Sequence, residues 1–144
     1  VVSLTASVVV DTSVLLDYLN GERRAERALA AHPHRSISVV SWLELMAVAP
    51  PELTEATRGF LRGFERLSIS EAIADEALAL MNARPGLPLH RALTWATARV
   101  NRLTLLTVDA RDLKKNEPGV ELPYRWAAGA ERAMPSANAK PSTA

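Results

Sequence analysis

The stretch Ser7–Asn20, SVVVDTSVLLDYLN, decides the fold class. Its opening, SVVVD (7–11), is a β-branched run with no polar alternation, the pattern of a strand buried on both faces in a parallel sheet. TSVLLDYLN (12–20) then sets Val14, Leu15, Tyr18 and Leu19 on one helix face, with Gly21 after Asn20 as its stop. Asp11 falls at the junction. Outward from there the rhythm repeats. ERRAERALAAH (22–32) reads as a helix, SISVV (36–40) as a second buried strand, and SWLELMAV (41–48) as a helix ended by Pro50 and Pro51. ELTEATRGFLRGF (52–64) and SEAIADEALALMNA (70–83) carry helical periodicity, the second with Ser68 and Glu71 as a capping pair, and ERLSIS between them reads as an edge strand. RPGLP (84–88) is a turn, LHRALTWATARVN (89–101) a helix, LTLLTV (103–108) a strand, DARDLKK a helical turn and VELPY (120–124) a last strand. This βαβ order predicts an α/β fold: an open parallel sheet of four to five strands with helices on both faces.

The chain has 144 residues, 17 Lys+Arg against 16 Asp+Glu, 48% hydrophobic residues and no cysteine. That length and apolar content fit one domain, placed at residues 1–126. From 127 to 144 the composition turns to Ala, Ser, Pro and Gly and reads as a flexible tail. Without cysteine there is no disulfide framework, thiolate zinc site or Cys nucleophile, and a reducing, cytoplasmic setting is expected. The balanced charge gives no global pull on phosphate, so any nucleic-acid contact must come from a local basic patch. Asp11 and Asp17 interrupt the apolar opening, so neither a membrane span nor an export signal is expected. There is no GxGxxG, no Walker loop, and no histidine placed to serve Ser13 as a triad.

The acids fall in a pattern. Asp11 ends the first strand, Glu44 follows the second, and Asp109 and Asp112 follow LTLLTV. In an open parallel sheet the carboxyl ends of the strands line one crevice, which gathers these carboxylates. Acids crowded together call for a compensating cation such as Mg²⁺ or Mn²⁺. Each also has a local explanation: Asp11 as N-cap, Ser41 with Glu44 as a capping box, Asp109 as the cap of the turn holding Asp112.

VVVDTSVLLDYL, ISVVSWLELM and LPLHRALTWATARVNRLTLLTVDARDL together resemble the PIN domain, in particular VapC-type toxins of bacterial toxin–antitoxin pairs, from about Val8 to Tyr124. The resemblance implies a Mg²⁺/Mn²⁺-dependent endoribonuclease with Asp11, Glu44 and Asp109 as metal ligands and Asp112 as an outer acid. Thr12, Ser13 and Thr107 would be polar support. It further implies structured RNA such as tRNA as substrate, an antitoxin and a second copy of the chain as partners, and a cytoplasmic location. The apolar early helices (Val14, Leu15, Tyr18, Leu19, Trp42, Met46) offer a surface for those partners.

One position departs from the family pattern. Where that pattern reads D-A-L-I-A-A-T-A, this chain has Arg91-Ala92-Leu93-Thr94-Trp95-Ala96-Thr97-Ala98, so an arginine replaces a metal-site acid. Its guanidinium is always charged and engages carboxylates bidentately, so it is expected to turn into the crevice and stand in for a metal. A catalytically impaired PIN-like module that binds RNA or a protein partner is therefore the alternative to the ribonuclease. His90 beside it, and His32 and His34, read as surface residues. Arg58, Arg62 and Arg66 recur every four residues. They either track phosphates or form a solvated face paired with Glu55 and Glu65.

Overall fold

The structure, a computed structural model, describes residues 7–125. The proposed tail at 127–144 lies outside the described residues. Five parallel strands stand in the order β3-β2-β1-β4-β5: β1 (Val8–Val10), β2 (Arg35–Ser38), β3 (Glu65–Leu67), β4 (Thr104–Leu106) and β5 (Val120–Glu121). Six helices connect them: α1 (Thr12–Leu19), α2 (Arg23–Ala30), α3 (Val39–Val48), α4 (Thr54–Leu61), α5 (Glu71–Ala83) and α6 (Leu89–Val100). Among the described residues no helix is long and apolar enough to cross a membrane.

All three residues of β1 are fully buried, as its unalternated valines require of a central strand. Successive side chains point to opposite faces, and the core divides accordingly. Val8, Val10 and Leu106 pack with Val14, Leu15, Leu19, Leu29 and Leu45 on one side; Val9 and Leu105 pack with Ile73, Leu80, Ala92 and Trp95 on the other. Val14, Leu15, Tyr18 and Leu19 are thus core and not the partner surface expected of them; Trp42 and Met46 are only partly buried.

Several element ends differ from the sequence reading. Ser38 accepts a hydrogen bond from the Val40 amide at 3.1 Å, so α3 starts at Val39 and takes in two valines that read as strand. Ser41 and Glu44 therefore lie inside the helix and form no capping box. Ser70, not Ser68, caps α5, accepting from the Ile73 amide at 3.2 Å. Residues 109–115 form turns without a helix. His32 is buried, its Nε2 2.8 Å from Glu121 Oε2, tying the end of α2 to β5.

The chain runs from β1 outward to β2 and β3, then returns to place β4 against the other side of β1. The two directions part between β1 and β4. Connections there leave the sheet toward opposite faces, opening a crevice at the carboxyl ends of those strands. Val10 pairs with Leu106, so Asp11 and Thr107 are the next residues at that edge.

Candidate functional site

Asp11 sits at the N-cap position of α1 but makes no side-chain cap; its Oδ2 instead accepts from Ser13 Oγ at 2.6 Å and Thr107 Oγ1 at 2.8 Å. Ser13 Oγ in turn accepts from the Val108 amide at 3.2 Å, and Thr107 Oγ1 from the Asp109 amide at 3.1 Å. The two hydroxyls stitch the end of β4 to the start of α1 and hold the carboxylate in one orientation. The arrangement follows from sequence: D-T-S after β1 and T-V-D after β4 put a short hydroxyl within reach of Asp11 from each side.

Arg91 lies in the first turn of α6 and is only 6% exposed. A buried cation at a helix N-terminus opposes the macrodipole and loses its hydration, so it needs strong compensation. Three aspartates supply it. Nη1 stands 3.3 Å from Asp109 Oδ2 and 3.7 Å from Asp11 Oδ2, and Nε is 3.2 Å from Asp112 Oδ2. Nη2 donates to the Asp109 carbonyl at 2.9 Å. The Nε contact is an ion pair without hydrogen-bond alignment, which leaves that buried N–H without a hydrogen-bond acceptor.

Asp109 meets a second guanidinium. Arg111 places Nε 2.9 Å from Oδ1 and Nη2 2.6 Å from Oδ2, while its amide donates to Oδ1 at 3.2 Å. Burial pushes the Asp109 carboxyl up, but the Arg111 hydrogen bonds and the Arg91 charge outweigh it and bring the group from 3.8 down to about 2. A carboxyl lowered in the folded state adds stability above its unfolded value and loses it as pH falls toward the folded one. The stability advantage of the native chain over Asp109→Asn should therefore shrink between about pH 4 and pH 2. Urea midpoints measured through that range check this; an advantage independent of pH would contradict it.

Glu44 stands apart from this cluster. Its Oε1 accepts from Thr12 Oγ1 at 2.8 Å, and the same hydroxyl lies 2.9 Å from Ser41 Oγ, so Glu44 neighbours Asp11 only through Thr12. It makes no ion pair among the described residues. The eight predicted site residues thus fall into one group of Asp11, Asp109, Asp112, Ser13, Thr107 and Arg91, and an adjoining pair of Thr12 and Glu44. His90 is exposed.

Two arginines escaped the sequence reading. Arg111 is only two residues from Asp109 in D-A-R-D, a spacing at which a turn returns a long side chain onto the carboxylate. Arg84 sends Nη1 to Glu117 Oε1 at 2.7 Å and to the Asp112 carbonyl at 3.0 Å, and lies 4.5 Å over the Trp95 ring. It anchors the loop that carries Asp109 and Asp112. Nothing local marks it, because Asp112 and Glu117 are about thirty residues away and Trp95 eleven.

The fold and the placement of Asp11 at its switch point define a class. Residues 8–117 match the PIN domain family, and the chain belongs to that family. It is similar to a chain of a toxin–antitoxin complex from Klebsiella pneumoniae, with 36% identity over 83% of this chain and 100% of that chain and a TM-score of 0.77. Two more distant likenesses in fold are a DNA-bound VapBC from Salmonella typhimurium and VapBC2 from Rickettsia felis bound to a promoter DNA fragment. The first has 20% identity, covers 81% of this chain and 98% of that one, and gives a TM-score of 0.64; the second has 17%, 83%, 98% and 0.63. No curated protein sequence matches the chain.

PIN domains generally use divalent metal ions. The arrangement seen here does not fit one. Mg²⁺ requires oxygen ligands at about 2.0–2.1 Å in near-octahedral geometry, whereas the space between Asp11 and Asp109 is taken by a guanidinium nitrogen. Among the described residues no group of three or more His, Asp or Glu side chains is arranged to hold a metal. Arg91 and Arg111 offset two of the three aspartate charges, and the Arg91 guanidinium itself stands where a divalent ion would have to sit.

Proposed function

We propose that this chain is the toxin component of a VapBC-type toxin–antitoxin pair, a PIN ribonuclease by fold in which Arg91 suppresses Mg²⁺- or Mn²⁺-dependent cleavage. It then acts by binding RNA, structured RNA such as tRNA included, and an antitoxin, as a homodimer in the cytoplasm. The observation that carries the reading is the buried guanidinium of Arg91 among Asp11, Asp109 and Asp112. Support for the antitoxin partner is the 36% identity to a chain of a toxin–antitoxin complex over most of this chain.

What the residues do follows from their contacts. Asp11 is fixed by Ser13 and Thr107, and the Asp109–Asp112 turn is held from inside by Arg91 and from outside by Arg111. The crevice is a hydrogen-bonded floor in which each aspartate faces a guanidinium, so an incoming phosphate does not meet a bare acid cluster. Arg111, 80% exposed, supplies positive charge at its mouth, and Lys114 and Lys115 lie on the exposed surface beyond it.

A guanidinium about 4 Å from an ion opposes it by about 4 kcal/mol per unit charge at an effective dielectric near 20, roughly a thousandfold in affinity for each unit of the ion's charge. Arg91→Asp should therefore gain cleavage of a tRNA pool in Mn²⁺ that chelator abolishes, under conditions where the unaltered chain leaves the RNA intact. Equal, chelator-sensitive cleavage by both proteins would return the reading to an ordinary metal-dependent ribonuclease.

A further inference from the structure

Arg58, Arg62 and Arg66 do not share a helix face, as their spacing in sequence suggests. Arg58 lies in α4, Arg62 follows its end, and Arg66 belongs to β3. The fold nevertheless brings two of them together on a residue far away in sequence. The Arg66 guanidinium carbon is 4.4 Å from the centroid of the Trp42 ring, and that of Arg58 is 5.7 Å away. Glu65 and Glu55 do little to neutralise them. Arg58 touches Glu55 at 3.7 Å, a contact in which Glu55 is 83% exposed, and neither Arg62 nor Arg66 makes an ion pair among the described residues. Solvent-exposed pairs of that kind are worth little.

The place matters as much as the composition. Trp42 is in the first turns of α3, the same helix whose Ser41 and Glu44 meet Thr12 beside Asp11. The aromatic-basic patch and the crevice are therefore built on one short rigid element. A guanidinium held over an indole still offers N–H donors to phosphate oxygens, and arginine planes are themselves surfaces on which bases stack. An arginine pre-ordered in this way loses less entropy on binding than a free one.

We propose that Trp42, Arg58 and Arg66 form a lane for one RNA strand that leads to the Asp11 crevice. The proposal rests on the reading that the chain binds RNA. Charge complementarity favours a polyanion over an apolar helix here: the patch offers two guanidiniums on one indole with little acidic compensation. Stacking with weak base preference suits single-stranded segments.

The test is anisotropy of a fluorescein-labelled single-stranded oligoribonucleotide with the full chain in chelator, at several salt concentrations. The double variant Arg58→Ala/Arg66→Ala should bind the probe roughly tenfold or more weakly, with a salt slope shallower by about 1.4, the value for two lost phosphate contacts on a single strand. Arg58→Lys/Arg66→Lys should keep the slope and still lose affinity, because an ammonium does not stack. Thermal melts of both variants should match the unaltered chain, since these side chains lie at the surface. Unchanged RNA affinity in the alanine variant, while the unaltered chain binds, would overturn the lane and leave the Arg91 reading standing. The same holds if the variant lost only an antitoxin peptide. An unaltered chain that bound no RNA at all would overturn both the lane and the RNA reading.

Discussion

Arg91→Met should lower the unfolding free energy by about 3–5 kcal/mol, because it leaves aspartates buried without the cation that balances them. For a chain of this size that corresponds to a fall in Tm of roughly 10–25 °C. Methionine fills similar space, so the loss reports charge and not a cavity. Asp11 bears most of it. Asp109 keeps Arg111 and Asp112 is a quarter exposed, while Asp11 would retain only the Ser13 and Thr107 hydroxyls. Adding Asp11→Asn to Arg91→Met should therefore recover part of the loss. Urea denaturation in chelator measures both, and a loss below about 1 kcal/mol from Arg91→Met alone would show that the ion pairs only break even with their desolvation.

Arg84→Ala should cost about 3 kcal/mol and should also disorder the loop bearing the acids. Glu117, whose side chain is 6% exposed, loses its cation, the Asp112 carbonyl loses a donor, and Trp95 loses the cover of a guanidinium at 4.5 Å. Lysine cannot serve all three contacts at once, so Arg84→Lys should restore little. Hydrogen exchange should show the amides from Asp109 to Glu117 opening far more readily in Arg84→Ala while those of β1 keep their protection. Unchanged exchange there would mean that the turn is held by Arg91 and Arg111 alone.

The centre of the fold was legible because its signal is strong and local. Val8, Val9 and Val10 have no polar alternation, and the residues after them switch at once to helical spacing. Strand ends were less legible. Val39 and Val40 look like strand, yet the Ser38 hydroxyl caps them into the first turn of α3. The same shift turns Ser41 and Glu44 from a capping box into helix positions facing Thr12, while Asp11 makes no side-chain cap because its carboxylate accepts from Ser13 and Thr107 instead. Local hydrogen bonding outweighed β propensity at that point.

In the site, the carboxylates at the ends of β1 and β4 were legible from strand order, and the inward turn of Arg91 from the acids around it. The clamp of Arg111 on Asp109 depends on a turn where helix was expected, and Arg84 and the Trp42 stack depend on contacts across the fold. His32 shows the same limit. A histidine in A-H-P-H-R reads as loop surface, and only the docking of β5, which supplies Glu121, makes it buried and paired.

The most direct measurement is calorimetric titration of Mn²⁺ into the unaltered chain and into Arg91→Asp, with folding of both confirmed by circular dichroism. The account predicts no measurable heat of binding for the unaltered chain at millimolar Mn²⁺ and saturable binding at Asp11, Asp109 and the new carboxylate in the variant. Saturable binding of similar affinity in both proteins would contradict it, since a guanidinium 3.3 Å from Asp109 and 3.7 Å from Asp11 would then be no obstacle to the ion.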